Sequence, residues 1–176
     1  MRELHVMNRP LAVDQALFVL GLLPSFRAVE IAEFALLAGH NSESIIELAS
    51  YSKEMVTWAD AELLFRKTLA DLDVNQLNRM EAQVIAARYL ANQYCVGELS
   101  TRSLLDEMYR LAYGTDDGAA NNPMVREELL ELDYLDSMYT EAIGSGSLRG
   151  AKAWEKDILK CCRRLIEHDT VSDSLS

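Results

Sequence analysis

The sequence predicts an all-α protein, a single domain of six to eight packed, mostly antiparallel helices. Three observations lead there. Proline and glycine number only 3 and 8 among 176 residues, while Leu, Ala and Glu are abundant, a composition that favours helix over strand. Apolar residues recur three and four apart, and no segment shows the period-two alternation of β-branched and aromatic residues that strands need. Connections punctuated by Gly, Pro, Ser and Asn are short, which favours antiparallel neighbours. Apolar residues make up 49% of the chain, too many for a disordered protein and enough for a sizeable core. Residues 1–168 are assigned to one helical domain, with 169–176 expected to fray as a C-terminal tail.

The first helix is expected from near Pro10 to Leu20, ending before Gly21. Pro24-Ser25 opens the second, which carries Phe26, Val29, Phe34 and Leu37 and stops at Gly39. Asn41 can cap the third, where Ile45, Ile46, Leu48 and Ala49 are apolar. Ser52 or Thr57 can cap the fourth, whose stripe is Trp58, Ala61, Phe65, Leu69 and Leu72. Asn75 is the expected cap of the fifth, with Leu77, Met80, Val84, Ala87, Ala91 and Tyr94 on one face. Ser100 starts the sixth, with Leu104, Leu105, Met108, Leu111 and Ala112 before Gly114. After the polar loop TDDGAANN, Asn122-Pro123 restarts helix, because proline suits a first helical turn. The GSGS run at Gly144–Ser147 separates this seventh segment from the last, Leu148 to His168.

Much chemistry is excluded by what is missing. Counting Asp116 as the first position of a calcium loop puts Glu127 at the twelfth. Gly118, Ala120 and Asn121 then stand where oxygen ligands and the turn glycine are needed. Glu30 and Glu33 lack the Glu-x-x-His partners of a di-iron bundle and read as an exposed or ion-paired helix face. His5, His40 and His168 have no second histidine at metal-ligand spacing. There is no phosphate-binding glycine loop, no G-x-S-x-G and no zincin motif. Cys95, Cys161 and Cys162 form no disulfide framework and read as reduced core or boundary residues. No enzyme activity, cofactor or metal is therefore expected. No apolar run spans a bilayer, and Asp14 and Gln15 interrupt the apolar stretch near the N-terminus, so no membrane insertion and a cytoplasmic location are expected.

The net charge of −11 disfavours nucleic acid as a ligand and favours a basic protein partner. Acid is most concentrated in Glu127–Glu141, EELLELDYLDSMYTE, with six carboxylates and no base. On a helix, Val125, Leu129, Leu132, Leu135, Tyr139, Ala142 and Ile143 form a core face. Glu127, Leu130, Glu131, Tyr134 and Glu141 point away from it, with Asp133 at the edge. Glu128 and Asp136 fall inside the apolar stripe. Glu128 suits a first turn, whereas Asp136 predicts a kink or split near Asp133. The last helix is the reverse case. Arg149, Lys152, Lys156, Lys160 and Arg163 share an arc opposite Trp154, Ile158, Cys161 and Leu165. Residues 1–148 carry 23 acids and 11 bases, whereas Arg149–His168 carries six bases and three acids.

The run LGLLPSFRAVEIAEFALLAG, then SIIELAS, then the acidic LLELDYLDSMY resembles small all-helical bacterial proteins of unknown function grouped with toxin-immunity families. The resemblance implies a protein that binds a toxin and blocks it without doing chemistry. The expectation is a non-catalytic binder that neutralises a basic toxin by occlusion. Glu127, Glu131, Asp133 and Glu141 would meet Lys or Arg, with Tyr134 and Leu130 as apolar contacts. The alternative is a self-associating structural or regulatory protein, a homodimer in which the basic last helix packs on the acidic segment of a second subunit.

Overall fold

The computed structural model describes residues 9–114 and 121–167. They form eight α-helices, and no strand occurs among them. The expectation is one domain over residues 1–168. The contacts group the chain into two compact units, Met1–Asn78 and Arg79–Ser176. The expected frayed tail and the Asp116–Ala120 part of the calcium-loop reading lie outside the described residues.

Unit 1 holds α1 (Leu11–Val19), α2 (Ser25–Leu37), α3 (Glu43–Ala49) and α4 (Trp58–Asp71). Glycine ends α1 and α2 as expected. Gly21 (φ 69°) and Gly39 (φ 95°) take the left-handed conformation, which lets Leu22 N–H reach Leu17 O and His40 N–H reach Ala35 O. These bonds satisfy carbonyls that a helix end leaves free. At the start of α4 the Thr57 alternative is the one seen. The Asp60 carboxylate accepts from Thr57 Oγ1 at 2.6 Å and from its N–H at 3.4 Å. Ser42, not Asn41, precedes α3, and its hydroxyl reaches Asp71 of α4 at 2.6 Å, where Ser44 also donates.

The core of unit 1 is built from α2, α3 and α4, with Phe65 fully buried at its centre. Phe65 meets Phe18 edge-on at 4.9 Å and Trp58 at 6.2 Å. Trp58 Nε1–H donates to Leu23 O at 2.7 Å, so the half-buried indole keeps its hydrogen bond. The apolar residues singled out on α2 divide between core and surface. Val29 is buried, but Phe26, Phe34 and Leu37 are exposed, and Ala28, Ile31, Ala32 and Ala35 face the core instead. The helix is apolar on both sides, so periodicity could not choose between them. Small alanines let α2 approach its neighbours closely.

Unit 1 also buries charge. Asp14 and Arg27 are 1% and 4% exposed. Arg27 donates through Nε and Nη2 to Asp14 at 2.9–3.2 Å and through Nη1 to Glu30 at 3.0 Å. Burial lowers the guanidinium pKa, but the bonds to Asp14 and Glu30 outweigh it and the net shift is upward. Glu33 accepts Lys53 Nζ at 2.6 Å, so the Glu30/Glu33 pair is an ion-paired helix face.

Unit 2 holds α5 (Arg79–Cys95), α6 (Thr101–Tyr113), α7 (Arg126–Gly144) and α8 (Leu148–Glu167). Each packs on its sequence neighbour and α8 closes back on α5, which makes a four-helix bundle. Ser100 caps α6, accepting from Ser103 N–H at 3.1 Å, and all five expected apolar residues of α6 are buried. Two starts come later than expected. α5 begins at Arg79, not at Asn75, whose carbonyl instead accepts from Gln15 Nε2 at 2.5 Å. α7 begins at Arg126, because Asn122 is drawn inward. Its amide donates to Met80 O and Gln83 Oε1, both at 3.0 Å, and its Oδ1 accepts from Met124 N–H. On the far side Arg88 Nε–H donates to Leu165 O at 3.1 Å and satisfies a last-turn carbonyl of α8.

Candidate partner-binding surface

α7 is one unbroken helix, not two. The split expected near Asp133 is absent, and α6 supplies a partner for Asp136. Asp136 is half-buried, 3.5 Å from Arg102 Nη1, and also accepts from Thr140. Glu128 lies in the first turn and is buried, as its place in the apolar stripe required. Val125, Leu129, Leu132, Leu135 and Ala142 form the buried face, Tyr139 is half-buried, and Ile143 is exposed at the helix end.

The six residues assigned to the partner surface separate into two sets. Glu127, Leu130, Tyr134 and Glu141 are exposed along the outer ridge of α7. Tyr134 is 58% exposed and Leu130 42%, about one turn apart. Glu127 and Glu141 make no ion pair with any described residue. Glu131 and Asp133 are half-buried and engaged inside the unit. Glu131 pairs with Arg164 of α8, and Asp133 accepts from Tyr113 Oη–H of α6 at 3.1 Å. Burial raises the Tyr113 pKa, and that bond to a carboxylate adds to the shift.

Tyr113 was missed from the sequence, as was Tyr109. Their rings are 5.0 Å apart and 41% and 56% exposed, beside the groove between α6 and α7. The signal was available, since two tyrosines four apart lie off the buried stripe of α6. The ridge of α7 is therefore bordered by further aromatic surface.

On α8, Arg149, Lys152, Lys156, Lys160 and Arg163 are all exposed, while Ile158, Cys161 and Leu165 are buried and Trp154 half-buried. Cys95, Cys161 and Cys162 are free thiols. Burial, with the Glu131 charge behind it, pushes the Cys161 thiol up to about 12, and burial also raises Cys162. Both stay protonated at neutral pH and cannot act as thiolate nucleophiles there.

Among the described residues no group of three or more His, Cys, Asp or Glu is placed to hold a metal ion. No described helix is long and apolar enough to cross a membrane. No family model matches the chain, and no curated protein or solved structure is significantly similar to it.

Proposed function

We propose that the protein is a non-catalytic cytoplasmic binder that occludes a basic protein partner with the outer ridge of α7, in the manner of a bacterial immunity protein that blocks a toxin. The observation that supports this reading is the ridge itself. Two carboxylates with no ion pair among the described residues, Glu127 and Glu141, flank an exposed leucine and tyrosine on one unbroken helix. Tyrosine supplies contact area at small entropic cost, while the acids steer encounter and reject acidic partners. Glu131 and Asp133 play a lesser part, since each already has a partner within unit 2.

Reversing both of these charges, Glu127→Lys with Glu141→Lys, is expected to slow association with a captured partner about ten-fold at low salt and to flatten its salt dependence. Both residues are exposed, so circular dichroism should be unchanged. Stopped-flow association across a salt series is the measurement. Equal rates and equal salt slopes for wild type and variant would remove the ridge from consideration.

A second reading has its own support in the five exposed bases of α8. These could meet the α7 ridge of another copy, giving a homodimer. Sedimentation at low and high salt separates the two readings. A dimer that dissociates with salt favours self-association, and a monomer at both salts favours the foreign partner.

A further inference from the structure

We propose that a half-enclosed pocket of unit 1 binds a small neutral apolar molecule that carries one O–H or N–H donor, of the size of phenol. The pocket lies between the end of α1, the end of α4 and the connection at residues 74–77, and its volume is about 170 Å³. A cavity of roughly 150 Å³ is enough for a benzene ring. Its lining residues belong to unit 1, so the proposal does not rest on the α7 ridge of unit 2.

The pocket follows from the way α4 stops. Asp73 takes the left-handed conformation (φ 52°), which Asp tolerates better than most side chains. Asp73 N–H then donates to Ala70 O at 3.1 Å, and Val74 N–H donates to Leu69 O at 3.0 Å. That turn brings the chain back to α1, where Asn75 O accepts from Gln15 Nε2 at 2.5 Å. Phe18 and Val19 of α1, Leu69 and Ala70 of α4, and Val74 and Leu77 of the connection line the apolar walls.

Gln15 decides which molecule fits. Its side chain is only 4% exposed and it lines the pocket. A carbonyl oxygen can only accept, so the end of the amide held on Asn75 is the NH₂ group. The amide oxygen is therefore turned away from Asn75, and it accepts no hydrogen bond from a described residue. A buried acceptor without a donor is costly, and a ligand O–H or N–H at that oxygen removes the cost. Water supplies the same bond but leaves the apolar walls wet, whereas a ring-sized molecule covers them.

Charged molecules fit less well. Arg66 is the ionisable residue of the lining, and it is exposed. Its guanidinium lies 5.1 Å over the Phe18 ring and donates through Nε and Nη2 to Glu62, at 3.3 and 2.8 Å. A cation would be repelled by Arg66. An anion at Gln15 would set an acceptor against an acceptor.

The test titrates the intact protein with phenol, toluene and benzoate, read by methyl and amide chemical shifts. The expected result is saturable phenol binding, with shifts concentrated at Val19, Leu69, Val74, Leu77 and the Gln15 side-chain amide. Toluene has the same body without the donor and should bind about five- to ten-fold more weakly, the size expected from losing one neutral hydrogen bond. Ala70→Leu puts a larger side chain at the pocket wall and should abolish phenol binding. Ala70 is exposed on α4, so circular dichroism should be unchanged. The phenol and toluene comparison uses the unaltered protein and decides the donor question without any variant. Toluene binding as tightly as phenol would overturn the proposal, as would benzoate binding more tightly than phenol. So would shifts away from these residues, phenol affinity unchanged by Ala70→Leu, or no saturable phenol binding.

Discussion

Replacing Phe65 by alanine is expected to remove about 3–5 kcal/mol of stability from unit 1, the range for deleting a buried aromatic ring. Phe65 is fully buried, and three helices of the unit contribute to the cluster around it. It also holds the rings of Phe18 and Trp58, 4.9 and 6.2 Å away. Those contacts add to the loss of buried area, because edge-on aromatic pairs contribute beyond their burial. Much of the neighbouring backbone is helical, so the space can close only in part. The two tryptophans make the measurement selective, since Trp58 lies in unit 1 and Trp154 in unit 2. In a Trp154→Phe background, urea unfolding followed by the remaining indole reports on unit 1. A loss under about 1 kcal/mol, well below the usual cost for such a ring, would contradict the central role assigned to Phe65.

Asp14→Asn should be nearly as damaging, at about 3–5 kcal/mol, for an electrostatic reason. Asp14 receives three hydrogen bonds from Arg27, and both side chains are almost wholly out of water. The asparagine keeps the shape and loses the charge. Arg27 then retains Glu30 as its anionic partner, on a carboxylate that is itself 21% exposed. The cost is that of a buried guanidinium only half compensated, not the net strength of the ion pair. A paired replacement separates the two quantities. Asp14→Leu with Arg27→Met removes both charges and should recover most of the loss, since burying an ion pair gains little over well-packed apolar groups. The same urea transition reads all three variants. A double variant no more stable than Asp14→Asn would show that the network is needed as a whole.

The helical class was legible because it depends on local properties. Few glycines and prolines, apolar spacing of three and four, and terminators such as Gly21 and Gly39 act within a turn or two of the chain. Burial was legible where apolar and polar faces contrast sharply. The five apolar residues of α6 and the Ile158, Cys161 and Leu165 face of α8 are all buried. The exposure of Glu127, Leu130, Tyr134 and Glu141 followed from the same angular count along α7.

By itself, then, the sequence determined that the chain is helical, roughly where its helices stop, and which side of each strongly two-faced helix meets water. Only the tertiary structure decided the rest. It chose the alanine side of α2 over Phe26, Phe34 and Leu37, gave Asp136 of the unbroken α7 a partner in Arg102, and delayed the start of α7 by drawing Asn122 onto α5. It also paired Asp14 with Arg27, thirteen residues apart, inside unit 1. The physical reason is common to all of these. A polar or ambiguous side chain takes the environment that its partner offers, and here that partner stands on another helix, where no local period can reach it.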